Sequence, residues 1–532
     1  MNRIKPELPD LGQSELSEKM QKGKKGVVKL VFGRTAVILL LVALQALFLV
    51  FLGLVLWRYV FYVYGFYMAV AVGIVLIIIN RPGVPEFKLP WIVMTLVFPI
   101  MGGLFYLFVE TQLGTRIMNR KVLAQQERTR EYIPKNQNIL EEIREQDGMI
   151  GSLAGYLQNN GFPAYRNNGL EYYPLGDYWF PAMLEKLREA RKFIFLEYFI
   201  IEHGNVWDQV LEILKDKVLE GVEVRLMYDG TQQFASLSHD YPRRMEAAGI
   251  QCKVFSPIKP ALSTYQNNRD HRKILVIDGE VGFTGGTNLA DEYVNQKERF
   301  GHWKDTAIMI KGDAVRSLTV MFLQLWDLEG YENNYVDYLD VYPRHPEVQY
   351  PGYVIPYTDS PLDQEPVGKL VYIHILQTAK DYVHIMTPYL ILDHDMITAL
   401  TFAAKRGVDV KIILPHIPDK AYAFALARTH YPELLRAGVK IYEYLPGFVH
   451  AKTFVSDDTT AVVGTVNLDY RSLYLHFENA VLLYGADVVT DMKRDFEETL
   501  KLSVEMTEQF TRKQSLRMKA GGWILKLFAP LM

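Results

Sequence analysis

Residues 271–288 read HRKILVIDGEVGFTGGTN, and residues 450–467 read HAKTFVSDDTTAVVGTVN. Each stretch has a histidine, a lysine at +2, an aspartate at +7, a glycine at +14 and an asparagine at +17. With residue usage of a few per cent each, one chance match in a chain of this length is roughly a one-in-ten-thousand event. Two copies in register with a longer repeat are not chance. That longer repeat is visible upstream of each copy. EARKFIFLEYFI (189–200) matches TAKDYVHIMTPYL (378–390), EGVEVRLM (220–227) matches RGVDVKII (406–413), and AAGIQCKVF (247–255) matches RAGVKIYEY (436–444). The offsets are 189, 186 and 189 residues. Each unit reads helix, strand, helix, strand, helix, strand, which predicts a duplicated α/β unit with parallel or mixed sheets covered by helices.

On an extended segment, residues i and i+2 face the same way. His271 and Lys273 therefore project together, as do His450 and Lys452. Asp278-Gly279 is a two-residue hairpin signal, and Asp457-Asp458 can turn the chain likewise. The returning strands bring Asn288 and Asn467 back towards their histidines. Neither set has the composition of a metal site, with no cysteine cluster, no HExxH and no carboxylate-rich loop. Two histidines, two lysines and amide donors suit a tetrahedral anion. The lysines and asparagines can hold phosphoryl oxygens. One imidazole can attack phosphorus to give a phosphohistidine. The other can protonate the leaving alkoxide and then deprotonate an incoming alcohol. From the residues alone, Asp278 and Asp457 read as structural supports of each set.

The rest of the chain limits what this site can serve. The 532 residues are 49% hydrophobic with a formal net charge of −3, so no global basic field points to nucleic acid. The single cysteine, Cys252, excludes an intrachain disulfide, fits a reducing compartment and reads as a small buried apolar residue. Residues 35–57 and 59–79 carry no charge, and 89–109 is a third apolar run interrupted by Pro99 and Gly102-Gly103. Runs of this length span about 30 Å of hydrocarbon. Lysines and arginines flank the region on both sides: Lys22, Lys24, Lys25, Lys29 and Arg34 before it, Arg116, Arg120, Lys121, Arg128 and Arg130 after it. The positive-inside rule wants both clusters in the cytoplasm, which two crossings deliver and three do not.

The predicted organisation is a basic tail (1–34), a transmembrane region (35–110), a charged, solvated helical connector (111–150), a first α/β half (151–342), a proline-rich linker (343–366) and a second half (367–510). An apolar tail (511–532) ends in GGWILKLFAPLM, which is too short to cross and suits either the membrane interface or packing on the protein.

The paired motifs resemble the phospholipase D superfamily, marked by HxKxxxxD twice per chain. Within it the sequence is similar to bacterial cardiolipin synthases. GTNLADEY (286–293), HWKDT (302–306), MTPYLILD (386–393), NLDYRSLYLHFENAV (467–481) and the juxtamembrane VFPIMGGLFYLFVETQLG (97–114) carry that likeness. The first apolar run is additional to the family's usual two. The resemblance implies two α/β halves about a pseudo-two-fold axis with one site between them, and a reaction without metal or cofactor. In that reaction one phosphatidylglycerol passes its phosphatidyl group to another, giving cardiolipin and glycerol reversibly. The alternative is hydrolysis of phospholipid to phosphatidic acid. By the resemblance His271, Lys273, Asp278, His450, Lys452 and Asp457 are catalytic, with His271 attacking. Asn288 and Asn467 bind phosphate, and Asp305 and Glu478 hold the histidines. The implied setting is the bacterial cell membrane, multi-pass, with the catalytic part on the cytoplasmic side and no nucleic-acid partner.

Overall fold

A computed structural model describes residues 34–55, 59–110, 113–258, 267–329, 334–339, 349–363, 365–512 and 516–531. Two compact units are formed, one by residues up to Gly114 and one by Thr115–Pro257 with Gln266–Met532. The basic tail lies outside the described residues, apart from Arg34.

In the first unit the apolar runs become four helices, α1 (Arg34–Val55), α2 (Val60–Asn80), α3 (Pro85–Val97) and α4 (Pro99–Glu110). Among the described residues one stretch, Phe61–Asn80 of α2, is long and apolar enough to cross a membrane. Helix α1 has 22 residues, and its sequence carries no charge after Arg34. The third run, which the sequence interrupts at Pro99 and Gly102-Gly103 and which reads as a kinked or shallow helix, is divided into two helices. Phe98 leaves helical geometry at φ −127°, ψ 70°, and Pro99 has no N–H to continue the ladder. The chain then folds back. Trp91 of α3 stacks against Phe105 and Tyr106 of α4 at 5.5 and 5.7 Å. Gly102 lies so close to the Met94 carbonyl that a Cβ there would come within 2.5 Å of it. Glycine permits the tight return.

The second unit holds the two halves. The first contains β1 (Leu170–Tyr173), β2 (Phe193–Tyr198), β3 (Glu223–Asp229), β4 (Gln251–Phe255), β5 (Lys273–Ile277), β6 (Val281–Gly285) and β7 (Ala307–Lys311). The second contains β8 (Tyr353–Asp359), β9 (Tyr382–Met386), β10 (Asp409–Pro415), β11 (Lys440–Tyr444), β12 (Thr453–Ser456), β13 (Thr460–Gly464) and β14 (His476–Tyr484). The first sheet runs β1-β7-β6-β5-β2-β3-β4, and the second repeats that order as β8-β14-β13-β12-β9-β10-β11. Tyr165–Arg166 and Ser503–Met506 extend its two edges. In each half the three strands joined through helices pair in parallel and the hairpin strands antiparallel. The duplication read from the sequence is thus a duplication of topology.

Both sheets are covered on two faces, which is why strands such as β2 are buried at every position. Phe193, Phe195 and Ile274 of one sheet share a core with Val354, Val455 and Val463 of the other. Ile194 and Leu196 point the opposite way, into a core with the helices Gly176–Glu189 and Asn205–Leu219. Cys252 is buried there on β4.

Two segments differ from the sequence expectation. The connector is helical, over Leu113–Thr129, Gln137–Gln146 and Gly148–Asn159, but it is not solvated throughout. Leu140, Ile143, Ile150 and Leu153 are buried in the core of the second half. On each of the two helices the pair is three residues apart, which puts an apolar face inside a charged sequence. The proline-rich linker contains β8, paired along its length with β14. Pro356 fits there because the opposite edge of β8 is paired only at Tyr353 and Val354. Residues 343–348 and 364 of the linker lie outside the described set. At the far end, helix Leu516–Phe528 sets Gly522 against Thr429 and leaves Trp523 and Ile524 exposed.

Candidate active site

The two motifs meet through backbone pairing. The short strand Arg269–Asp270, just before His271, pairs in parallel with His476 and Phe477 at the start of β14. The short strand Gly447–Val449, just before His450, pairs in parallel with His302–Lys304, just before Asp305. The His271 N–H donates to the Phe477 carbonyl at 2.9 Å, and the His450 N–H to the Lys304 carbonyl at 2.7 Å. The first half gives a strand to the second, and the second returns the same strand to the first. That reciprocity is the signature of a two-fold relation.

Each histidine is thereby carried to a carboxylate of the other half. The His271 Nδ1–H donates to Glu478, with both carboxylate oxygens at 2.9 Å. The His450 Nδ1–H donates to Asp305 at 2.6 Å. These bonds leave Nε2 of each ring as the nitrogen with a free lone pair. Both carboxylates are fully buried and held in place, Glu478 by the Thr465 hydroxyl and Asp305 by the Thr306 N–H.

The lysines lie beside the histidines as the i, i+2 spacing predicts. Lys273 Nζ donates to the His271 carbonyl at 2.7 Å, and Lys452 Nζ to the His450 carbonyl. Between His271 and Lys273, Arg272 projects the other way and is neutralised by buried Glu197 at 2.6 Å. Ala451 stands in its place in the second copy. Asn288 accepts from the Ile200 N–H through Oδ1 and keeps its buried Nδ2 unpartnered. Asn467 also has an unpartnered amide atom.

Asp278 and Asp457 are elsewhere. Both occupy the hairpin turns, at φ 55° and 53°, with Gly279 and Asp458 following at 70° and 59°. The predicted two-residue turns therefore form, with left-handed backbone at both positions. The Asp278 carboxylate accepts the N–H groups of Arg191, Lys192 and Phe193 at 2.7–2.9 Å. Asp457 accepts those of Lys380, Asp381 and Tyr382 at 2.8–3.0 Å. Each aspartate is seven positions from its histidine, roughly 20 Å of strand. They anchor the β2 and β9 entrances and do not reach the histidines.

Burial dominates the electrostatics. It pushes His271 well down and His450 down to about 4, so both imidazoles are neutral in the resting site. Burial also lowers Lys273 to about 8 and Lys452 to about 7, with Glu478 and Asp305 opposing the shift. Burial would raise Glu478 and Asp305, but the adjacent imidazoles hold both below the ordinary carboxylate range. Each lysine feels the acidic residue of both half-sites, and Lys452 is lowered further by Lys273. The two sets thus share one electrostatic site.

Sequence reading singled out neither His476 nor Asn479. Asn479 Nδ2 donates to Thr284 at 2.7 Å, and its Oδ1 accepts the Lys273 N–H at 3.2 Å, tying the halves beside the site. Both lie in LHFEN, next to Glu478 on β14, so strand alternation around the acidic residue was the available signal.

Comparison with known proteins shows the family to which the chain is similar. The family described as cardiolipin synthase, PLD-like domain, matches residues 183–326 and 372–500. An uncharacterized protein of Streptococcus mutans is 51% identical over 87% of this chain and all of its own length. A cardiolipin synthase of Halalkalibacterium halodurans is 34% identical over 87% of this chain and 92% of its own. Cardiolipin synthase 2 of Bacillus anthracis is also 34% identical, over 87% and 90%. Among solved structures, phosphatidylserine synthase of Haemophilus influenzae superposes with a TM-score of 0.53 at 16% identity, covering 71% of this chain and 97% of its own. That likeness is one of fold.

The lysine pKa values give a signed prediction. Only the ammonium forms attract an oxyanion, and Lys452 and Lys273 lose their protons near pH 7 and 8. Sulfate keeps its charge in this range, so its affinity, measured calorimetrically, should be greatest below pH 7. It should fall about tenfold per pH unit for each lysine that must regain a proton. Affinity unchanged up to pH 10 contradicts the assignment.

Proposed function

Because the chain belongs to the cardiolipin synthase family of phospholipase D-like proteins, we propose that it transfers a phosphatidyl group between two phosphatidylglycerol molecules, giving cardiolipin and glycerol. The observation that carries this reading is the reciprocal pair of histidine–carboxylate contacts, His271–Glu478 and His450–Asp305, in one buried site. In the proposed first step His271 Nε2 attacks phosphorus, and the bond to the glycerol oxygen breaks. His450, protonated, gives its proton to the leaving glycerol. Burial holds His450 down, and the negative charge of a bound phosphodiester opposes that effect. In the second step neutral His450 takes the proton from a hydroxyl of the second phosphatidylglycerol. The resulting alkoxide displaces His271 from phosphorus. A phosphodiester is consumed and a phosphodiester formed, so the transfer is reversible in principle. Lys273, Lys452, Asn288 and Asn467 hold the phosphoryl oxygens as charge builds. Glu478 and Asp305 fix the two ring tautomers.

Labelled phosphatidylglycerol supplied to the purified protein should give cardiolipin and glycerol as main products. His271→Ala and His450→Ala should each lower the rate by about three orders of magnitude, the scale of losing a nucleophile or a proton-transfer group. Phosphatidic acid as the main product selects hydrolysis instead, and full activity in either variant contradicts a shared site.

A lipid substrate accords with the apolar first unit. We place the protein in the bacterial cell membrane, with α1 and α2 crossing and α3–α4 entering from the cytoplasmic side and returning to it. The helices α3 and α4 have 13 and 12 residues, about 20 Å each and short of the ~30 Å hydrocarbon core. A hairpin that returns leaves both basic clusters on one side, as the positive-inside rule requires. Exposed Trp523 and Ile524 suit an interfacial role for the final helix. In a Cys252→Ser background, Lys25→Cys and Arg120→Cys should both resist an impermeant maleimide in intact cells and react after lysis. Labelling of only one in intact cells contradicts this topology.

A further inference from the structure

Among the differences between the two half-sites, one lies two residues before each acidic residue. His476 stands two residues before Glu478, and Trp303 stands two residues before Asp305. Each packs on the motif histidine of the other half. The Trp303 ring lies 5.5 Å from His450, and the His476 ring 5.5 Å from His271. An indole cannot ligate a metal; an imidazole can.

His476 is 8% exposed, and neither of its ring nitrogens has a hydrogen-bond partner. Its Nδ1 lies 3.7 Å from Glu478. Nitrogen atoms of His271 and His476 and an oxygen of Glu478 all lie within 4.8 Å of one another. Two imidazoles and a carboxylate form a donor set suited to zinc and related transition metals. The Thr465 hydroxyl donates to Glu478 and orients it from behind, as an outer partner orients a ligand. Lys273 stands near enough to oppose a dication. That disfavours weakly held ions such as magnesium and calcium.

We propose that His271, His476 and Glu478 form a binding site for a divalent transition metal of the zinc class, and that occupancy inhibits the enzyme. The inhibition follows from the single lone pair of a neutral imidazole. Metal on His271 Nε2 takes the attacking atom. Metal on Nδ1 displaces the proton shared with Glu478 and forces the remaining proton onto Nε2. Either way His271 cannot attack phosphorus. Inhibition rests on the nucleophile reading above, whereas metal binding does not. Among the described residues, the half-site of His450, with Trp303, Tyr293 and Phe448 around the ring, has no equivalent third His, Cys, Asp or Glu.

The test uses cobalt(II) as a spectroscopic probe of the full-length protein in detergent. One equivalent per chain should produce the visible bands of four-coordinate cobalt, and zinc should bleach them. His476→Asn and His476→Trp, with melting curves confirming that each is folded, should weaken cobalt binding at least tenfold. Zinc inhibition is then compared after scaling each protein to its own rate in chelator. Half-inhibition should need at least tenfold more zinc in His476→Asn. Absence of stoichiometric cobalt binding, or unchanged bands in both folded variants, overturns the site. Equal zinc sensitivity in wild type and His476→Asn overturns the inhibition. The cobalt spectra give their answer whatever substrate the enzyme uses.

Discussion

The catalytic unit depends on two short parallel strand contacts exchanged between its halves. Arg269–Asp270 pairs with the start of β14, and Gly447–Val449 with His302–Lys304. A backbone ladder fixes register to a single residue, because a slip by one turns every side chain to the opposite face. Here the register sets which side chain of one half faces the histidine of the other. Neither half can complete its own site. Glu478 is 207 residues from His271, and Asp305 is 145 residues from His450. Duplication supplied two copies of the chemistry, and the exchanged strands make them one site.

The same contacts explain how such a charged centre stays buried. His271, Lys273, His450, Lys452, Asp305 and Glu478 are all buried in the folded protein. An isolated buried charge is costly, and the usual result is a shifted pKa or a paired group. Both occur here. The carboxylates stay ionised because each has an imidazole N–H and a further donor aimed at it. The lysines ease towards neutrality. In the proposed reaction a phosphodiester entering this site favours the ammonium forms, whose hydration has already been removed, so their attraction for developing charge is stronger than in water.

Much of this was legible in the sequence, for physical reasons. The i, i+2 spacing of His271 and Lys273 fixed their common face, and Asp-Gly marked the hairpin turn that forms with left-handed backbone at Asp278 and Gly279. The repeat offsets located both sheets. The two motif aspartates carry two different expectations. Residue chemistry read them as supports, whereas the resemblance placed them in the catalytic set. The geometry puts them at the far ends of β5 and β12 on backbone N–H groups. Other features were not legible because composition and structure point different ways. Charged connector helices hide a buried stripe through Leu140 and Ile143, and a proline-rich segment hides the strand β8. Hydropathy alone reads 89–109 as one span. The break at Phe98-Pro99 and the close return at Gly102 divide it in two. His476 carries no motif signal of its own. It becomes visible only when β14 is laid against the Trp303 strand of the other half.

The central claim is that His271 attacks phosphorus while the second half supports and protonates. Rapid denaturation of the enzyme with phosphatidylglycerol in detergent at mildly alkaline pH, where a histidine N–P bond survives, followed by peptide mass spectrometry without acid steps, tests it most directly. The account predicts a phosphatidyl adduct on the peptide containing His271, absent from the peptide containing His450. An adduct on His450 would contradict the assignment, and product formation at full rate with no histidine adduct at any quench time would contradict the two-step mechanism itself.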